Sequence, residues 1–191
     1  MRAFLGIGIT AEAQAALSAL QDAFNMKDQA LRWVKPAQMH ITLKFLGEIT
    51  ETQKNSLSDC IRSIAGTQTC FDAKLDGLGG FPSISNPKVL WVGIGQGARE
   101  VSALALAIER TSVSFGFKPE EKDFHPHVTL ARIESSLIGR KVGEKAKNIL
   151  LAQPPTWQVA GVNFYRSTLG AGGSRYEFLE EFPLAGKASK T

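Results

Sequence analysis

His125-Pro126-His127-Val128-Thr129-Leu130-Ala131-Arg132, the run HPHVTLAR, has at its centre a near copy of His40-Ile41-Thr42-Leu43 from the earlier run HITLKFLG. The chain contains three histidines, and two of them head these matched tetrapeptides. In each copy a histidine and a threonine stand two residues apart, with an aliphatic residue between them and another after. That is the period of a β-strand, in which alternate side chains share a face. A strand that sends Ile41 and Leu43 into a core therefore presents His40 and Thr42 on its open side. The second copy does the same with His127 and Thr129. Two such strands brought together make a site of two imidazoles and two hydroxyls.

Bulk properties set the frame. At 191 residues, 43% hydrophobic and 21% charged, the chain has the composition of an ordinary globular protein and enough length to bury a sizeable core. No apolar run approaches the roughly 20 residues that span a bilayer. The opening MRAFLGIGITAEAQ lacks a signal-peptide cleavage pattern and reads as a first strand, so a cytoplasmic protein without membrane contact is expected. Cys60 and Cys70 have no metal-site or framework spacing and read as buried reduced thiols. The net charge of +4 suits an anionic ligand, but no dense Lys/Arg block marks a protein that coats long nucleic acid.

Outward from the two motifs, residues 2–9 alternate as a strand. Residues 10–29 read as a helix capped by Thr10, with Ala16, Leu17, Leu20 and Phe24 in one stripe. Residues 40–47 form the first motif strand, ended by Gly47, and Thr50 caps a helix over 51–65. A strand over 71–78 ends at a turn through Gly79-Gly80-Phe81-Pro82, and residues 89–94 form the next. A helix over 98–115, a charged loop over 118–123 and the second motif strand over 127–132 follow. Residues 137–151 read as a helix stopped by Pro154-Pro155, and 157–165 as a strand. The Gly/Ser-rich stretch 167–174 reads as a loop before a last strand over 176–182, and 185–191 as a frayed tail. Each half thus sets its His-x-Thr strand between two helices. The expectation is an α+β fold of two lobes with mainly antiparallel sheets and outer helices, facing each other across a central cleft.

An imidazole has an ordinary pKa near 6.5, so at neutral pH a pair can hold one charged and one neutral ring. Such a pair can deprotonate an attacking water and protonate a leaving oxygen, and a two-lobed cleft puts them on opposite sides of a phosphorus atom. Thr42 and Thr129 would donate to phosphate oxygens, with Lys44, Arg132 and Arg166 as nearby cations. Strict alternation turns Arg132 away from His127 unless the strand bends near Ala131. His125 and His127, with Asp123, could instead begin a metal site, but a catalytic zinc usually has three protein ligands. A binding module without turnover would use the same cleft, with Phe4, Trp33 or Tyr165 stacking on bases.

The runs HITLKFLGE and PHVTLAR resemble the two motifs of the two-histidine (2H) phosphoesterases, and especially the bacterial RNA 2′,3′-cyclic phosphodiesterase branch, also called 2′-5′ RNA ligases. The RAFLGIGI opening, the RWVKPAQMHITLKFLG approach, the LWVGI strand and the RSTLGAGGSRYEFLEEF ending are similar to that branch too, so the resemblance covers almost the whole chain. It implies a single bilobal, pseudo-twofold symmetric catalytic domain over residues 1–191, with its lobes interleaved in sequence. It implies hydrolysis of a terminal 2′,3′-cyclic phosphate to a 2′-phosphomonoester with neither metal nor cofactor. His40 would be the proton donor, His127 the proton acceptor, and Thr42, Thr129 and Arg132 the phosphate ligands. Lys44, His125, Trp33 and Tyr165 are further candidate substrate contacts. His125 is a departure, since the branch often has Arg there. RNA ends and nucleoside cyclic phosphates are the expected ligands of a monomer, and 2′-5′ joining through the same residues is the alternative reaction.

Overall fold

Both motif runs are strands, and they lie side by side. The structure, a computed structural model, describes residues 1–170 and 173–186. Strands β1 (Arg2–Gly8), β2 (Leu31–Trp33), β3 (His40–Glu48), β4 (Phe71–Phe81), β5 (Val89–Ile94), β6 (His127–Ile133), β7 (Thr156–Val159), β8 (Gly161–Gly170) and β9 (Gly173–Pro183) form one antiparallel nine-stranded sheet. The order is β7-β4-β5-β6-β3-β1-β8-β9, with β2 beside β6. Read from the β6–β3 junction outward, the order is the same on both sides: motif strand, an inner strand, then a pair. The two expected sheets are therefore halves of one curled sheet, joined where Ile41 pairs with Val128.

Helices α1 (Ala11–Phe24), α2 (Glu51–Thr67), α3 (Ala98–Ser114) and α4 (Ser136–Ala146) complete the α+β architecture. Thr10 caps α1 by accepting from the Ala13 amide, and Thr50 with Gln53 makes a reciprocal capping box on α2. Leu17, Leu20 and Phe24 of α1, Leu57 and Ile61 of α2, and Val101, Leu104 and Ile108 of α3 are buried. They share one core with Ile41, Leu43, Val128 and Leu130 of the motif strands. Each such aliphatic side chain contributes roughly 1.5–3 kcal/mol on burial. Among the described residues no helix is long and apolar enough to cross a membrane.

Several boundaries differ from the sequence reading. Helix α1 stops at Phe24 because Asn25 takes a left-handed conformation, and α4 ends at Ala146, well before the prolines. The expected turn at Gly79-Gly80 is strand: β4 runs on to Phe81, paired with β5 from Leu75 onward. The expected strand over 157–165 is split at Ala160 into β7 and β8. Of the Gly/Ser-rich stretch, residues 167–170 and 173–174 are paired strand that lengthens β8 and β9 instead of loop, and residues 171–172 lie outside the described part. Ala185 and Gly186, read as frayed, are held by backbone bonds with Gln68 and Cys70 and by the Cys70 thiol. Residues 187–191 lie outside the described part. Cys60 and Cys70 are free thiols, half-buried instead of buried.

Gly79 shows why that segment is extended. The Trp91 indole, on the neighbouring β5, lies directly over it, and a methyl group built at Gly79 overlaps the ring. Gly79→Ala should displace Trp91 and destabilise the fold by about 1–3 kcal/mol, the usual cost of overpacking. Thermal or urea denaturation measures the loss, and an unchanged midpoint would mean that Trp91 does not depend on that glycine.

Candidate active site

At the β3–β6 junction Ile41 and Val128 face the core, so the residues on either side of each face the opposite way. Continuing that register by one residue each way sets His40 opposite Thr129 and Thr42 opposite His127. The two histidines are then diagonal neighbours on one open face, where such pairs stand about 7–8 Å apart. Both rings are held by the same device. The Nδ1–H of His40 donates to the Gln38 carbonyl at 2.7 Å, and that of His127 to the His125 carbonyl at 2.6 Å. A carbonyl only accepts, so Nδ1 carries the proton and Nε2 is the reactive nitrogen in both. The Nε2 of His40 meets the Thr42 hydroxyl at 3.0 Å.

Strand irregularities decide which residues join them. Against β1, the β3 ladder skips Leu43: Gly6 pairs with Thr42 and Leu5 with Lys44. Against β5, the β6 ladder skips Leu130: Trp91 pairs with Thr129 and Leu90 with Ala131. These are matching β-bulges, one residue after each motif threonine. Each reverses the alternation, so Leu43 and Lys44 are both buried, as are Leu130 and Ala131. The residues that return to the open face are Phe45 and Arg132. The bend that Arg132 needs is thus present, and its charge reaches both imidazoles.

The same bulge removes Lys44 from the site. Its side chain is buried on the helix side, 2.9 Å from Glu109 and 3.5 Å from Glu120, and it donates to the Lys118 carbonyl. Lys44 is therefore not a phosphate contact but a clasp between β3, α3 and the loop that leads to the second motif. Trp33 is also corrected. It pairs with Ala131 on the buried side, packs against Phe24 and donates its Nε1–H to the Met26 carbonyl. Arg166 faces away from the site as well, opposite Ala3 and paired with Glu177. Tyr165 does reach the site, stacked on Phe4 and 5.9 Å from the His40 ring. His125 is exposed, its ring near Phe81.

Other neighbours carried no signal in the motifs themselves. Phe4 stacks under His40 at 4.7 Å, and Tyr176 meets the same ring edge-on at 5.1 Å. Phe81 and Trp91 flank His127. Each histidine has a glycine as its cross-strand partner, Gly8 for His40 and Gly93 for His127, which leaves room above the sheet. The spaced glycines of GIG and WVGIG were the available clue. On the His40 side, Phe45, Phe4, Tyr165 and Phe178 are successive cross-strand partners over β3, β1, β8 and β9. The end members of that row, Phe45 and Phe178, are more than half exposed.

Two basic rings beside a guanidinium and packed by aromatics are hard to protonate. Burial, opposed by the hydrogen bond to Gln38 and reinforced by His127 and Arg132, pushes the His40 pKa down to about 4. Burial also lowers that of His127, against the His125 carbonyl and with the charges of His125 and Arg132. In the free protein at neutral pH both rings are therefore neutral, instead of the one charged and one neutral ring expected from ordinary pKa values. A bound anion lifts both by supplying the missing negative charge. Among the described residues, no three His, Cys, Asp or Glu side chains are grouped to hold a metal ion.

Comparison with known proteins gives concordant results. The family model described as LigT like Phosphoesterase matches the chain twice, over residues 7–91 and 92–176, one match around each histidine motif. The RNA 2′,3′-cyclic phosphodiesterase of Aquifex aeolicus is 33% identical over 97% of this chain and 98% of its own length. The crystal structure of TT0787 of Thermus thermophilus superposes with a TM-score of 0.78 at 28% identity, covering 98% of this chain and 100% of that one. LigT of E. coli complexed with 3′-AMP superposes with a TM-score of 0.77 at 25% identity, over 97% and 98% of the two chains.

Imidazole NMR titration of the free protein should find the His40 transition near pH 4 and that of His127 below the ordinary 6.5. Saturating inorganic phosphate should raise both. The unfolded chain binds these protons at higher pH than the folded one, so their contribution to stability is full above about 6.5 and lost as the pH falls towards 4. Two unshifted histidines would contradict the packing described.

Proposed function

The chain belongs to the LigT-like family of phosphoesterases, and from that membership we propose that it is an RNA 2′,3′-cyclic phosphodiesterase acting as a single bilobal catalytic unit. The observation that carries the reading is the pairing of two Nδ1-anchored imidazoles, each with a threonine, around one open space with Arg132. The substrate is an RNA or nucleotide end closed as a five-membered cyclic phosphate.

His127 takes a proton from water at Nε2 as the water oxygen bonds to phosphorus. The P–O3′ bond breaks on the opposite side, and the 3′ oxygen receives a proton from Nε2–H of His40. The product is a 2′-phosphomonoester with a free 3′ hydroxyl, and solvent returns the proton from His127 to His40. Thr42 and Thr129 donate to the non-bridging oxygens, and Arg132 offers paired N–H donors to the charge that grows on them. His40 can give its proton only after gaining one. The anionic substrate favours that gain, so the lowered imidazole pKa values make protonation follow binding. The acid and base roles are carried over with the motifs.

The aromatic row from Phe45 to Phe178 favours RNA over a small phosphodiester without bases. Exposed rings on a sheet face beside the phosphate site are stacking surfaces, worth about 1–3 kcal/mol per base. Tyr165, within that row, supports the stack, and exposed His125 is a further contact at the His127 end. Joining of 2′-5′ ends uses the same proton transfers in the same sense, with a 5′ hydroxyl attacking phosphorus in place of water, and water at high concentration favours hydrolysis.

His40→Ala and His127→Ala should each lower hydrolysis of a nucleoside 2′,3′-cyclic phosphate at least about 100-fold with substrate affinity nearly kept. The wild-type rate should survive EDTA, with a 2′-phosphate as the product. A 3′-bridging sulfur leaves without protonation, so that substrate should restore His40→Ala but not His127→Ala. Rescue of the opposite variant would exchange the two roles, and unchanged turnover in both variants would remove the proposal.

A further inference from the structure

Beyond the bulge, Arg132 faces an unusual neighbour. In the β2–β6 ladder its direct cross-strand partner is Arg32, another arginine on the same open face. Like charges directly opposed across a ladder repel. One acidic group lies within reach of both. Glu134, two residues after Arg132, leaves the strand on the same face and pairs with Arg32 at 2.8 Å. All three side chains are exposed. Arg132 itself has no ion pair among the described residues.

That arrangement answers a problem set by the sequence order. Side chains two apart on a strand project from points about 6.6 Å apart, and the flexible arms of Arg and Glu span that gap easily. Glu134 is thus poised to bind the Arg132 guanidinium, where its carboxylate would occupy the donors that a phosphate needs. We infer that Arg32 is a positioning residue that holds Glu134 away from Arg132 and so keeps that guanidinium open to the phosphate. The Arg132 charge also reaches the imidazoles and reduces their proton affinity. Besides the imidazoles and Arg132 itself, the charged neighbours that bear on this are Arg32, Glu134 and His125. The inference rests on the reading of Arg132 as the phosphate ligand.

The test is a two-residue cycle, Arg32→Gln, Glu134→Gln and the double variant, with Arg32→Lys as the charge-conserving control. Arg32→Gln should raise KM for a cyclic nucleotide about 3- to 5-fold, the scale of an exposed ion pair. It should also raise the NMR titration points of His40 and His127, because Arg132 is drawn off towards Glu134. Glu134→Gln alone and Arg32→Lys should behave as wild type, and the double variant should return to wild type in both readouts. If the double variant keeps the Arg32→Gln defect, Arg32 touches substrate directly and the inference is overturned. It is equally overturned if Arg32→Gln leaves KM and the histidine titrations unchanged. The titrations need no substrate, so they decide the inference even if wild-type protein fails to hydrolyse a cyclic phosphate, which would overturn the proposed function instead.

Discussion

The pairing of Ile41 with Val128 is the contact on which the site depends. It joins the two half-sheets, whose buried residues share one core. It also fixes, through strand alternation, that both histidines and both motif threonines face the same side. A slip of one residue by either strand would send its own histidine and threonine into the core and bring its aliphatic residues to the surface. The fully buried aliphatics of both motif strands oppose such a slip. Hydrophobic burial on one face therefore holds the chemistry on the other.

Two bulges then turn a nearly symmetric frame into an unsymmetric site. Because each half skips one residue after its threonine, the fifth position after each histidine returns to the open face. That position is Phe45 in the first half and Arg132 in the second. One side of the cleft thereby gains an aromatic wall that continues through Phe4 and Tyr165 to Phe178. The other gains a cation flanked by Arg32 and Glu134. An end group with a flat base and a charged phosphate matches that division.

The aromatic packing that orients His40 also withdraws it from water, and this makes proton affinity depend on what is bound. A ring stacked on Phe4 and edged by Tyr176 resists charge until an anion arrives. The buried Lys44 is ion-paired with Glu109 and Glu120 and ties the first motif strand to the approach of the second.

The linear sequence determined the two motif strands, because a period of two with aliphatics on alternate positions has a single structural reading. It also determined the helix caps at Thr10 and Thr50 and the α+β order, since those depend on residues close together in the chain. What it could not carry were features set by neighbouring strands. The bulges at Leu43 and Leu130 are mismatches between two ladders, so the burial of Lys44 and the return of Arg132 to the site depend on residues far away in sequence. The long β8–β9 pairing likewise overrode a Gly/Ser-rich composition, and Trp91 needed the bare backbone of Gly79 from another strand. The sequence named the reactive groups through local periodicity, while tertiary pairing decided which cation and which aromatic rings share their face, because a strand's register is a property of two strands and not of one.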